Sequence, residues 1–308
     1  MSLTYLVKIG FKDVVAKYIP KPKVKISGEC IACPLTNNYS LVGTAFDYLM
    51  RAELKRRCPN TVEVSDIGRT SLSIARHCLK EYKDQCYLGI TKKDLAEIKK
   101  VVVKYHKLKR KFLRDGVITD EFIETIIRYA RLDVIYREGK YNDVTKDVDP
   151  LDIADMRALY NLIPNNIVKE NSFVLTDAIF PNTSERVGGA DVDLIIDNAM
   201  IDIKTTKYAR LNDEIWAQLV GYYILADTEH EIGLEPKNEY GAIAPSIIID
   251  DRGKIYPFPE IKEVGIYFSR YGKLWKIDAS YIRENKNYEF VKKTLFKMAE
   301  EIYSKKSS

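Results

Sequence analysis

Apolar and polar positions alternate in two short runs within residues 188–206, GGADVDLIIDNAMIDIKTT. A period of two predicts strands, and Asp197-Asn198 between the runs suits the left-handed backbone of a two-residue hairpin turn. Such a turn sets Ile196 opposite Ala199, Asp193 opposite Asp202 and Asp191 opposite Lys204. Three carboxylates and one ammonium then project from one side, while Val192, Leu194, Ile196, Ile201 and Ile203 cover the other. Like charges facing each other across strands destabilise the pair unless a cation stands between them. Lys204, a bound metal or both would supply it.

Around this hairpin the pattern is mostly helical. Residues 4–20 carry apolar positions at helical spacing and end at Pro20-Lys21-Pro22. A helix through residues 49–57 is expected with Thr44 as its N-cap. Residues 71–164 are rich in helix formers and nearly free of alternation. Within them, residues 92–114 place Leu95, Ile98, Val102, Tyr105 and Phe112 on an inward stripe and Lys100, Lys104, Lys107, Lys111 and Arg114 on another. Thr119 caps a further helix with Ile123, Ile126, Ile127, Ala130 and Val134 on its apolar side, and residues 152–163 form a helix stopped by Pro164.

After residues 165–170 the chain changes character. A strand is expected over 172–180, then the hairpin, then a helix from Asn212-Asp213 to Ala226 with Trp216, Leu219, Val220 and Tyr223 as its apolar stripe. Strands over 246–249 and 263–277, the latter folded at Tyr271-Gly272, precede a closing helix over 287–304. Three segments result: 1–70, a helical insertion over 71–165, and a core over 166–308.

With 308 residues, 46% hydrophobic and 30% charged, the chain can bury a sizeable core. No apolar run nears the ~18 residues that span a bilayer, and no secretory pattern opens the sequence, so a soluble, cytoplasmic protein without a membrane partner is expected. A net charge of +5 is compatible with a polyanionic partner. Five cysteines, an odd number, argue against a disulfide framework and for a reducing compartment. Cys30 and Cys33, with Cys78 and Cys86, could make four metal ligands, but buried free cysteines are more often small hydrophobes. Only three histidines, His77, His106 and His230, argue against a His-rich zinc enzyme.

Gly188-Gly189, then Asp193, then Asp202-Ile203-Lys204, followed by a helix bearing Gln218 and Tyr222, resembles the PD-(D/E)XK nuclease superfamily in its RecB-type branch. The resemblance covers residues 173–226 and, more faintly, 41–57, where Gly43-Thr44 is followed by Asp47 at the place of that branch's histidine. It implies an α/β, restriction-endonuclease-like core with a central mixed β-sheet flanked by helices. It further implies that Asp193 and Asp202, with the Ile203 carbonyl and Asp47, hold Mg²⁺ or Mn²⁺. Lys204 would position the attacking water, and Gln218 and Tyr222 would complete the catalytic set.

An aspartate at position 47 can ligate a hard ion through oxygen; its alternative role is an i,i+4 pair with Arg51 on a solvated face. Asp191 is either an outer ligand or, preferably, a salt-bridge partner of Lys204. In a nuclease the stripe of Lys100, Lys104, Lys107, Lys111 and Arg114 would follow a phosphate backbone; otherwise it is an exposed charged face. The expected activity is metal-dependent hydrolysis of single- or double-stranded DNA, with a second copy or a partner subunit compatible. The alternatives are a nucleic-acid-binding protein on the same fold that does not cleave, and an unrelated protein whose hairpin merely has a polar face.

Overall fold

The computed structural model describes residues 2–24, 26, 28–82, 86–234, 246–250 and 253–304. Its strands are β1 (Val62–Glu63), β2 (Val174–Ile179), β3 (Asp191–Ile196), β4 (Ala199–Lys204), β5 (Ile247–Ile249), β6 (Ile255–Pro257), β7 (Glu263–Phe268) and β8 (Lys273–Asp278). Six of them form one mixed sheet in the order β1-β2-β3-β4-β7-β8, while β5 and β6 pair separately. The β1–β2 and β4–β7 neighbours are parallel and the other pairs antiparallel.

The helices are α1 (Leu3–Leu6), continued through a π-helical turn at Val7–Phe11 into α2 (Lys12–Tyr18), then α3 (Tyr39–Arg57), α4 (Ile67–Tyr82), α5 (Lys92–Asp115) and α6 (Asp120–Ala130). They continue as α7 (Asp133–Glu138), α8 (Pro150–Asn161), α9 (Asp213–Leu234), α10 (Ser280–Arg283) and α11 (Tyr288–Ser304). Helices flank the sheet on both faces. Leu194, Ile196, Ile201 and Ile203 pack against α3 to α8. Leu175, Ile195, Met200, Val264 and Ile266 pack against the N-terminal helices, α9 and α11. Among the described residues, no helix is long and apolar enough to cross a membrane.

The hairpin closes as its sequence predicts. Asp197 takes a φ of 54°, and its carboxylate accepts the Phe173 N–H at 2.9 Å, which pins the turn to β2. The ladder pairs Ile196 with Ala199, Ile195 with Met200 and Leu194 with Ile201, and there it ends. Asp193 and Asp202 are not a ladder pair, because the strands part beyond Leu194. Opposite Asp193 on β2, Asp177 has a left-handed φ of 58°, between the pairs Thr176–Leu194 and Ala178–Val192. Such a residue turns the strand, so strict alternation fails here. Val192, expected beside Leu194, instead joins the core beneath α9.

Other differences are local. Thr44 lies inside α3 rather than capping it, since Val42, only 1% exposed, already packs on the core two residues earlier, and Asn38 stands at the cap position. The helix expected from Thr119 onward is two, α6 and α7, with Thr119 capping the first through its bond from the Phe122 N–H. Cys78 and Cys86 form a disulfide, against the expectation of free thiols. The two cysteines, eight residues apart in sequence, stand with their Cα atoms 5.3 Å apart near the end of α4, and both are buried. Arg270, after β7, makes two bonds of 2.7 and 3.0 Å to Asp155 of α8 and a third to the Ala32 carbonyl, tying the helical layer to the sheet.

A close seam in that layer is Gly68 against Tyr129, whose ring stacks on Tyr105 at 3.8 Å between centroids. A Cβ on Gly68 would lie 2.3 Å from the Tyr129 ring, a contact that forces either helix to move. Gly68→Ala is therefore expected to destabilise the protein by ~1–3 kcal/mol despite alanine's better helix propensity. Chemical denaturation checks this; an unchanged or higher midpoint would show that the seam is not close-packed.

Candidate functional site

Where the β3–β4 ladder opens, a cavity of about 370 Å³ is lined by Asp47, Asp193, Asp202, Ile203, Lys204, Gln218 and Tyr222 together. Asp193 Oδ2 accepts the Ile203 N–H at 2.6 Å, so that amide points into the gap between the strands. The N–H and C=O of one extended residue lie on the same side of a strand, which directs the Ile203 carbonyl into the same gap. Lys204 Nζ approaches Asp202 Oδ2 to 2.8 Å as an ion pair without hydrogen-bond alignment, and that buried oxygen has no hydrogen-bond donor.

Helix α9 delivers the next two groups. Trp216, Leu219, Val220 and Tyr223 bury its core face, and this rotates Gln218 and Tyr222, four residues apart, toward β4. Lys204 Nζ donates to Gln218 Oε1 at 3.0 Å, and Gln218 Nε2 donates to Tyr222 Oη at 2.9 Å. The amide thus holds the ammonium while the phenol fixes the amide.

Charge is crowded here. Burial, then the neighbouring Asp202 charge, pushes the Asp193 carboxyl up to about 7. Asp47, reaching the cavity from α3, is driven well above the carboxylate range by burial and then by Asp193, with Arg51 opposing. Burial alone would lower Lys204, but Asp202, Asp193 and Asp47 outweigh it and hold the side chain charged. Burial, then the charges of Asp202, Asp193 and Asp191, push the Tyr222 phenol well up and keep it neutral.

Two expected pairings do not form. Arg51 is committed to Asp177 through contacts of 3.0 and 3.1 Å, so it is no i,i+4 partner of Asp47, and both residues line the cavity rather than a solvated face. Asp191 pairs with Arg137 of α7 at 3.1 Å instead of Lys204, because its strand has already diverged from β4. Arg137 also reaches Asp133 at 3.2 Å, and Tyr48 Oη donates to Asp133. Sequence reasoning missed the roles of Tyr48, Asp133 and Arg137. Their only signal, an Asp133/Arg137 pair at i,i+4, is common on any helix.

The outer stripe of α5 is elsewhere. Lys100 pairs with Glu97, Lys104 with Glu121 and Arg114 with Asp115, while Lys107, Lys111 and Arg114 line a shallow hollow of about 400 Å³. None of the five lines the carboxylate cavity. Cys33 donates to the Cys30 carbonyl, and with Cys78 and Cys86 oxidised the four sulfurs make no common ligand set.

The donor chemistry fits a hard cation. Carboxylates of Asp47, Asp193 and Asp202, and the Ile203 carbonyl, offer only oxygen, as Mg²⁺ and Mn²⁺ prefer. Among the described residues, no three Asp, Glu, His or Cys side chains are already drawn into a metal-ligand cluster. The Ile203 N–H and Lys204 meanwhile hold Asp193 and Asp202. Comparison with protein-family models, with characterised proteins and with solved structures finds no match to this chain.

The raised Asp193 pKa sets a sign for stability. Because the folded state holds this proton more tightly, the contribution is full below the unfolded value of about 4 and is lost as pH rises toward about 7. In EDTA, Asp193→Asn should therefore gain melting temperature over wild type as pH is raised across that window, and Mg²⁺ should raise the melting temperature of wild type only. A variant less stable than wild type at the alkaline end in EDTA would contradict the charge-crowding account.

Proposed function

We propose that this protein is a metal-dependent nuclease of the PD-(D/E)XK kind, with the mixed sheet as a restriction-endonuclease-like core, acting on DNA. The observation that carries the reading is the meeting of Asp193, Asp202 and Lys204 at the open end of one hairpin, with Lys204 held through Gln218 to Tyr222. A solvated polar face offers no reason to bury Asp202 beside two further carboxylates.

Asp47, Asp193, Asp202 and the Ile203 carbonyl would hold Mg²⁺ or Mn²⁺. Such an ion, when bound, supplies positive charge to the phosphate and acidifies a water. Lys204 is kept protonated, so it serves as a hydrogen-bond donor and a charge rather than as a general base. It orients the nucleophile and offsets charge building on the phosphoryl oxygens. Gln218 fixes where that ammonium sits, and Tyr222, accepting from the amide nitrogen, turns the amide oxygen toward it.

The test is cleavage of linear and circular DNA, single- and double-stranded, with Mg²⁺, Mn²⁺ or EDTA. Metal-dependent cleavage is expected, with Lys204→Ala lowering the rate about 10²–10³-fold. Gln218→Ala should cost about 10–100-fold, as a residue acting through another. Undiminished cleavage by Lys204→Ala would exclude this site. Salt-sensitive DNA binding without cleavage would mean a non-catalytic binding protein.

A further inference from the structure

Beside the acidic cavity lies a second, of about 330 Å³, which shares Tyr48 and Arg51 with it as a common wall. Its charge is of the opposite sign. Arg51, Lys55, Arg69, Lys109, Arg110 and His106 line it against only two carboxylates, Glu63 and Asp66. On α5, His106 and Lys109 lie on the side turned toward the sheet, away from the exposed stripe that begins at Lys100, and Arg110 stands at the edge between, lining both this cavity and the outer hollow beside Lys107 and Lys111.

The basic side chains are held in place. Lys109, 13% exposed at its side chain, pairs with Glu63. Arg69 Nε and His106 Nε2 each stand 3.1 Å from Asp66 Oδ2, and the buried His106 nitrogen lacks hydrogen-bond alignment with any partner. Burial works to raise Asp66, but His106, Tyr129 and the Arg69 N–H hold it at about 2, so it stays ionised. Arg110 spends only its Nε, on the His106 carbonyl, and pairs with no carboxylate among the described residues. Tyr105 and Tyr129 are buried in their stack, so their faces are closed to bases. What the cavity offers a ligand is preset positive charge and N–H donors, the features that recognise phosphate oxygens.

From this adjacency we infer that the second cavity seats the phosphodiester backbone of a nucleic-acid strand, on the stretch flanking the phosphate presented to Asp193 and Asp202. The inference rests on the nuclease reading for the placement of that phosphate. It moves the backbone seat from the outer stripe of α5, none of which lines the carboxylate cavity, to the basic cavity that shares a wall with it.

Binding is measured separately from cleavage. A short fluorescein-labelled DNA strand is titrated with the Lys204→Ala protein in Mg²⁺ across a series of KCl concentrations, following anisotropy. Arg69 and Arg110 are exposed enough to replace without disturbing the core. Arg69→Gln/Arg110→Gln is expected to raise Kd about tenfold and to flatten the plot of log affinity against log salt by about 0.7 for each phosphate that is no longer neutralised. Lys100→Gln/Lys107→Gln on the outer stripe is expected to change neither. Wild-type slope and Kd in the first double variant, or an equal weakening in the second, would overturn the inference. So would displacement of the strand by inorganic phosphate far beyond that by chloride, which would mean a seat for a free anion. If the Arg110-dependent slope is found but otherwise wild-type protein cuts no DNA, the backbone seat stands and the cleavage reading falls. If no strand binds, both fall.

Discussion

Three carboxylates and one ammonium are forced together where the β3–β4 hairpin opens. Asp47, Asp193 and Asp202 repel one another in a partly desolvated cavity, and Lys204 is the cation set directly among them. The protein answers this repulsion by favouring the protonated forms of Asp47 and Asp193 and by raising Lys204, a standing demand for positive charge. A fold under no functional constraint relieves such crowding with one neutral substitution. This crowding is the physical ground for the proposal that the cavity is a cation site.

The crowding needs both helical layers. Asp47 comes from α3, whose opposite side is fixed in the core shared with α5, α6 and α8; Gln218 and Tyr222 come from α9 on the other face of the sheet. The sheet end between them opens because Asp177 turns β2 and the ladder stops at Leu194–Ile201. Arg270, fully buried, clasps Asp155 and so keeps the helical layer in register with the strand that neighbours β4. Breaking such a pair leaves an uncompensated charge in the core, so the layers are held together by geometry that tolerates little slack.

Much of this was legible in the chain. The Asp197-Asn198 turn and the apolar alternation were enough for the hairpin and its register, because turn type and a buried face specify both. The spacing of Gln218 and Tyr222 was enough for their adjacency, since helical period is local. What failed was tertiary. Val192 changes core because of a left-handed residue on another strand, and Asp191 pairs with an arginine 54 positions earlier in the chain. Arg51 is drawn from Asp47 to Asp177 across a separation of 126 residues. The Cys78–Cys86 bond was hidden by counting cysteines over the chain, when the local approach of these two decides it. The basic stripe of α5 was seen on the side with regular spacing, while the side facing the sheet is basic through Lys109, with Arg110 at its edge, and through residues from other elements.

Calorimetric titration of Mn²⁺ into the metal-stripped protein tests most directly the proposal that the opened hairpin is a divalent-cation site. Saturable binding is expected in wild type, abolished in Asp202→Asn and weakened in Asp47→Asn, with protons released on binding because Asp193 must ionise. Binding that is equal in wild type and Asp202→Asn, or that is no better than background in wild type, would contradict the account.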